Sequence, residues 1–204
     1  MAKKTTYHHG DLRQGLLEAA LTLLATKDAK NLSLREVARQ AGVSHTAPYR
    51  HFADKASLLE AVAEEGFVEF GRYLEAAVAS ANAEPMASLK ATGEAYVRYA
   101  LDHPTHFRVM FSHFPAAPSA DSSLPATAAG TFQILVDIIA SGQAEGVLKA
   151  GDPAELAVGR WALVHGLAML LLDGMLPGLP NNKSPQDDKT DPCGDAMELV
   201  KATL

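Results

Sequence analysis

Almost every segment of this chain repeats its apolar residues at intervals of three and four, and no segment alternates apolar with polar over the length of a strand. A strand burying one face needs a period of two, and a helix needs 3.6. The pattern therefore predicts an all-α fold. Residues 9–26 place Leu12, Leu16, Ala19, Ala20, Leu23 and Leu24 on one stripe. Further helices are expected over 34–41, 45–52, 55–82, 86–102, 104–114, 125–146, 153–176 and 194–203, about nine in all. Loops are expected over 114–123 and over 177–192, which carries four prolines.

The breaks between helices are as specific as the stripes. Ser33 with Glu36 three residues later is a capping box. Gly42 stands where a left-handed residue ends the next helix. Ser44 is placed to cap helix 45–52, and Asp54 to cap the long helix that follows.

A chain of 204 residues with 48% apolar content can bury a real core. Cys193 is the only cysteine, so no disulfide forms within the chain. The N-terminal lysines precede no apolar run, and the stretch around "LAMLLLDGML" is half a membrane span long and is cut by Asp173. A soluble, cytoplasmic protein without a membrane partner is expected.

The net charge of −6 hides an asymmetry. Residues 1–60 carry nine Lys and Arg against six Asp and Glu, and residues 61–204 carry nine against eighteen. A basic end thus rides on an acidic body. Within that end, Ala38 and Gly42 let two short helices cross closely, with Val43 and Phe52 anchoring the second. The other side of helix 45–52 is then polar, aromatic and cationic. A major groove admits a helix whose N-terminal residues meet base edges. In that reading Ser44 starts the helix, and His45, Thr46 and Ala47 face bases. Tyr49, Arg50 and His51 face phosphates, and Ser33 and Lys55 supply helix starts that attract phosphate. Pro48, in the first turn of this helix, forfeits little hydrogen bonding and stiffens it.

The run "SLREVARQAGVSHTAPYRHFADKASLLEAV", residues 33–62, resembles the DNA-binding region of the TetR family of bacterial transcriptional regulators. "LRQGLLEAALTLLATK" matches that family's first helix in place and length. "RWALVHGLAMLLLDG" resembles the C-terminal domain of a subgroup with a Trp–(three residues)–His–Gly signature, here Trp161, His165 and Gly166. Pro48 departs from the family, which more often has an aliphatic residue there. The resemblance implies a three-helix helix-turn-helix head over residues 1–54, with the motif itself at about 33–52. It implies a helical effector-binding and dimerisation domain over 55–204. It also implies a homodimeric repressor that leaves a palindromic double-stranded DNA operator when a small molecule binds.

In the body, Gly159, Ala162, Gly166 and Met169 are expected at the dimer seam, formed by helix 153–176 and the final helix. The rival reading is ordinary core packing. Tyr96, Tyr99, Phe107, Met110, Phe111, Phe132, Trp161 and His165 are the candidates for lining a ligand cavity, and an apolar or aromatic effector is expected there. His8 and His9 are adjacent, and His103, His106 and His113 lack the i, i+4 spacing of a helical zinc pair, so no metal site and no cofactor are expected. No nucleophile elbow, phosphate-binding glycine loop or Cys–His pairing is present, which argues against an enzyme. The alternatives are a dimeric DNA-binding protein without an effector, or an all-helical interaction module or enzyme.

Overall fold

The computed structural model describes residues 12–82, 84–112 and 122–176. Among these residues every regular element is helical. Seven α-helices follow in order: α1 (Leu12–Leu24), α2 (Leu34–Gln40), α3 (Lys55–Ser80), α4 (Pro85–Asp102), α5 (Pro104–Ser112), α6 (Leu124–Ala144) and α7 (Pro153–Leu172). Two 3-10 turns, Ala29–Asn31 and Pro48–Arg50, complete the set.

The helix starts obey local chemistry. Ser33 Oγ accepts the Glu36 amide at 3.3 Å and donates to the Glu36 carboxylate at 2.9 Å. Asp54 and Ser57 form a reciprocal capping box at the head of α3. Glu84 and Asp152 cap α4 and α7, each followed by a proline whose missing N–H has no partner to lose. Gly42 ends α2 at φ +69°, with Val43 N on Ala38 O and Gly42 N on Arg39 O, the paired bonds of a Schellman motif.

α1, α2 and the first turns of α3 close a small head around Leu16, Leu17, Ala20, Leu34, Val37, Phe52, Leu58 and Val62, all buried. α3 then leaves the head and packs against α4, α5 and α6, while α7 packs against α4 and α6. The body core is aromatic. Phe70 sits edge-on to Tyr96 at 5.0 Å and tilted against Tyr99 at 5.2 Å. Tyr99 is fully buried and donates its hydroxyl to Gly66 O at 2.9 Å, so its polar end is satisfied inside the core.

Three expectations need correction. Residues 45–52 do not form an α-helix: a turn at Ser44–Ala47 leads into the 3-10 turn Pro48–Arg50. Pro48, in the middle of the span, supplies no N–H for an α-helical bond to Ser44 O. Pro48 is also buried, although only Val43 and Phe52 looked like anchors. The tally of about nine α-helices becomes seven among the described residues, because 45–52 drops out and the expected final helix 194–203 lies outside them.

The membrane argument also changes. α6 and α7 each contain an 18-residue window long and apolar enough to cross a bilayer, with mean hydropathy 1.3 and 1.4. Their many alanines extend the apolar stretch well beyond the leucine run. Only 22% of either window is buried within the chain. Each helix packs one side against the body, and α7 leaves an apolar side uncovered.

Ala38 is fully buried where α2 turns toward the Pro48 segment, and its carbonyl closes the turn. A leucine there must push α2 outward. Ala38→Leu is expected to lower the unfolding free energy by ~1–3 kcal/mol, as overpacked cores do, in urea or thermal denaturation of the whole chain. Wild-type stability in that variant would show that the head closes loosely.

Candidate functional site

The segment from Ser44 to His51 is held from beneath and open above. Pro48 and Phe52 are buried, and Val43 is half-buried. Consecutive backbone bonds, Ala47 N to Ser44 O, Arg50 N to Ala47 O, and His51 N and Phe52 N to Pro48 O, fix its course. Arg13 of α1 stacks over the Phe52 ring at 5.7 Å, tying the segment to the first helix. With the anchors turned inward, Ser44, His45, Thr46, Tyr49, Arg50 and His51 are exposed and Ala47 is half-buried. Tyr49 is 53% exposed, an unusual position for a phenol with no packing role.

The flanking groups separate into free and committed cations. Ser33 is exposed at the start of α2. Lys55 is half-buried, and its Nζ donates to Ala29 O at 3.2 Å and Lys30 O at 2.9 Å. Its ammonium thus fixes the first 3-10 turn against the start of α3. Lys27 pairs with Glu36 at 2.6 Å, and that hydrogen bond, with the one from Ser33, holds the Glu36 carboxyl below the usual carboxylate range. Lys30, Arg35, Arg39 and Arg50 remain exposed on this end of the molecule. The sequence reading omitted Arg35 and Arg39. Their shared helix, four residues apart, was the available signal.

The body encloses a cavity of about 380 Å³. Of the eight candidates, Tyr96, Met110, Phe111, Phe132 and Trp161 line it, and Tyr99, Phe107 and His165 do not. The physical reason is packing depth. Phe107 and Tyr99 are wholly buried in the layer behind the wall, and His165 stacks on Phe107 at 5.6 Å. The sequence reading missed the contribution of α3, where Phe67, Phe70 and Leu74 form one wall, and that of Ala128, Thr131 and Ile134 on α6. Those side chains followed ordinary helical spacing, so nothing marked them off from core.

The polar groups around the cavity satisfy one another. The Trp161 indole donates to the Tyr96 hydroxyl at 3.1 Å, and that hydroxyl meets His165 Nδ1 at 2.8 Å. Since indole N–H only donates, the Tyr96 proton is left to point at His165. Burial pushes the Tyr96 phenol far above its usual range and the His165 imidazole below its own, so both are neutral at pH 7. Thr131 and Thr92 return their hydroxyls to carbonyls of their own helices. The result is a wall that presents mostly carbon, with Arg160 its one charged lining residue among the described residues.

The outer side of α7 is bare. Val158, Leu163 and Leu170 are exposed, as are Gly159 and Ala162, while Gly166 and Met169 are half-buried. A Cβ built on Gly159 or Gly166 meets nothing within 4 Å. Among the described residues, no close helix contact accounts for these two interior glycines.

Comparison with known proteins agrees with this anatomy. The family profile "Bacterial regulatory proteins, tetR family" matches residues 16–62, and the profile "Tetracyclin repressor-like, C-terminal domain" matches residues 89–187. An HTH-type transcriptional regulator of Haemophilus influenzae is 52% identical over 58 residues, covering 28% of this chain and 28% of that protein. The match thus spans less than a third of this curated relative's length. A solved structure of a Rhodococcus sp. RHA1 protein of unknown function is 35% identical, with a TM-score of 0.77 over 98% of this chain and 99% of the other. The transcriptional regulator FadR from Bacillus subtilis, solved in complex with stearoyl-CoA, shares the fold at 15% identity, with a TM-score of 0.69 over 94% and 99% of the two chains. With both halves matched by its profiles, and with a head built as a helix, a Schellman turn and an exposed segment over Pro48 and Phe52, the chain belongs to the TetR family of bacterial regulatory proteins.

Proposed function

We propose that this chain is a homodimeric, cytoplasmic repressor that leaves a palindromic operator when an apolar small molecule enters the cavity. The observation that carries the reading is the exposed segment from Ser44 to His51, anchored from below by Pro48 and Phe52. A side-chain set of hydroxyls, imidazoles, a phenol and a guanidinium has no packing role on that face, and each group matches a phosphate or a base edge. His45, Thr46 and Ala47 read bases. Ser33, Ser44, Tyr49, Arg50 and His51 contact phosphates. Lys55 acts mainly by holding the Ala29–Asn31 turn in place, and its charge still adds to the local field.

The bare side of α7, with Gly159, Ala162, Gly166 and Met169, takes the same side of a second copy. Small residues allow close helix approach, and Val158, Leu163 and Leu170 supply the apolar area. The expected contribution of helix 194–203 falls outside the described residues. The Trp161–Tyr96–His165 chain gives a physical reason for the Trp–(three residues)–His–Gly spacing: residues four apart on α7 reach one hydroxyl on α4. That supports placement in the corresponding subgroup.

The cavity wall favours an apolar or aromatic ligand, because its polar groups already have partners. The bound stearoyl-CoA of the Bacillus subtilis FadR is consistent with a long apolar ligand in this fold. α3 links the two sites, since it starts at the head and carries Phe67, Phe70 and Leu74 on the cavity wall. A ligand that prefers one placement of α3 shifts the heads by its differential affinity, typically ~1–3 kcal/mol.

Mobility-shift titration with the intergenic DNA upstream of the gene tests the head. Arg50→Ala is expected to weaken binding about tenfold and to lower the salt slope by about one phosphate contact. Unchanged affinity and slope would remove the segment from the DNA interface. Gly159→Leu is expected to shift sedimentation from dimer toward monomer; a dimer of wild-type strength would place the seam elsewhere. For the cavity, Ala128→Phe should abolish the melting-temperature rise given by fatty acids, their CoA esters or simple aromatic acids, while leaving DNA affinity intact. A rise that persists in this variant would put the ligand outside the cavity.

A further inference from the structure

Where α3 passes the α4–α5 corner, four side chains from three helices converge. Glu69 of α3, His103 at the end of α4 and His106 of α5 place their ligand atoms within 4.8 Å of one another. Glu65, one turn before Glu69, faces His106: its Oε2 lies 3.9 Å from His106 Nε2. Glu69 Oε2 lies 3.8 Å from His103 Nδ1.

The outer hydrogen bonds aim these atoms. Glu65 Oε1 is occupied by the Gln14 amide at 2.7 Å, which turns Oε2 toward His106. His103 Nε2 is held by the Tyr73 hydroxyl at 3.1 Å. The tautomer that donates Nε2–H to the Tyr73 oxygen leaves the Nδ1 lone pair facing Glu69. Meanwhile Glu65 Oε2 and His106 Nε2 are buried, and neither makes a hydrogen bond. A buried carboxylate oxygen and ring nitrogen left without hydrogen bonds are costly, and a shared cation removes the cost.

We propose that Glu69, His103 and His106, with Glu65 beside them, bind one first-row divalent metal ion of the zinc type. Two imidazoles with carboxylates suit such ions, and a dedicated outer partner on a ligand is their usual companion. Ligand atoms on a tetrahedral zinc stand about 3.4 Å apart, so the side chains need to close by up to about 1.4 Å. A proton is the competing cation. The site was invisible to spacing rules because its ligands come from three helices rather than from one HxxxH face.

Equilibrium dialysis of the full chain against ZnCl2 tests it, with metal and protein both quantified. Co2+ supplies a second probe through its visible absorption when bound by nitrogen and oxygen. The expected result is one ion per chain, with affinity lowered at least tenfold in Glu69→Gln and in His103→Ala, and about tenfold in Tyr73→Phe. A His8→Ala/His9→Ala variant is expected to bind as wild type. Circular dichroism melts of metal-free protein keep the result readable, since all variants should fold and only those with the site intact should gain melting temperature with Zn2+. Sub-stoichiometric zinc in wild type, or equal affinity across the site variants, would overturn the proposal. Neither result bears on the DNA-binding reading, which the mobility shift decides separately.

Discussion

The continuity of α3 is the constraint on which the rest of the molecule depends. Its 26 residues carry Leu58, Leu59 and Val62 into the head core and Phe67, Phe70 and Leu74 into the body. A helix shared this way must keep its register against both partners. The Tyr99 hydroxyl on Gly66 O fixes that register midway, and the Asp54–Ser57 box fixes its start. Because packed cores rearrange between discrete arrangements rather than deform smoothly, a change at one end of such a helix is felt at the other.

The interior of the body shows how a chain makes an apolar cavity out of partly polar residues. Tyr96, Trp161 and His165 would be poor walls singly, since each has a group that needs a partner. Bonded in a row, they expose ring faces and hide their nitrogen and oxygen atoms. Phe111 and Phe132 then stack around Trp161 at 6.3 and 6.0 Å and complete the surface.

Much of this was legible in the sequence, and the exceptions have physical causes. The stripes and caps located all seven described helices closely, because Ser33, Gly42, Asp54 and the prolines at helix starts act locally. The segment 45–52 was misjudged because polar surface residues leave no stripe from which to distinguish α from 3-10 geometry. Tyr99, Phe107 and His165 were assigned to the cavity on residue type, yet depth behind a wall depends on how helices cross, which no single-chain periodicity encodes. The cluster of Glu65, Glu69, His103 and His106 depends on the same crossing, and so it too appeared only in three dimensions.

Pro48 carries a consequence beyond the fold. Its ring fixes one backbone angle in a segment that has little regular hydrogen bonding of its own, and its burial pins the segment at midpoint. A loop with these exposed groups would normally surrender much conformational freedom on meeting a rigid partner. Here part of that ordering already exists in the unbound protein, so this exposed face behaves as a preset die rather than a pliable one, favouring a single matching shape over many approximate ones.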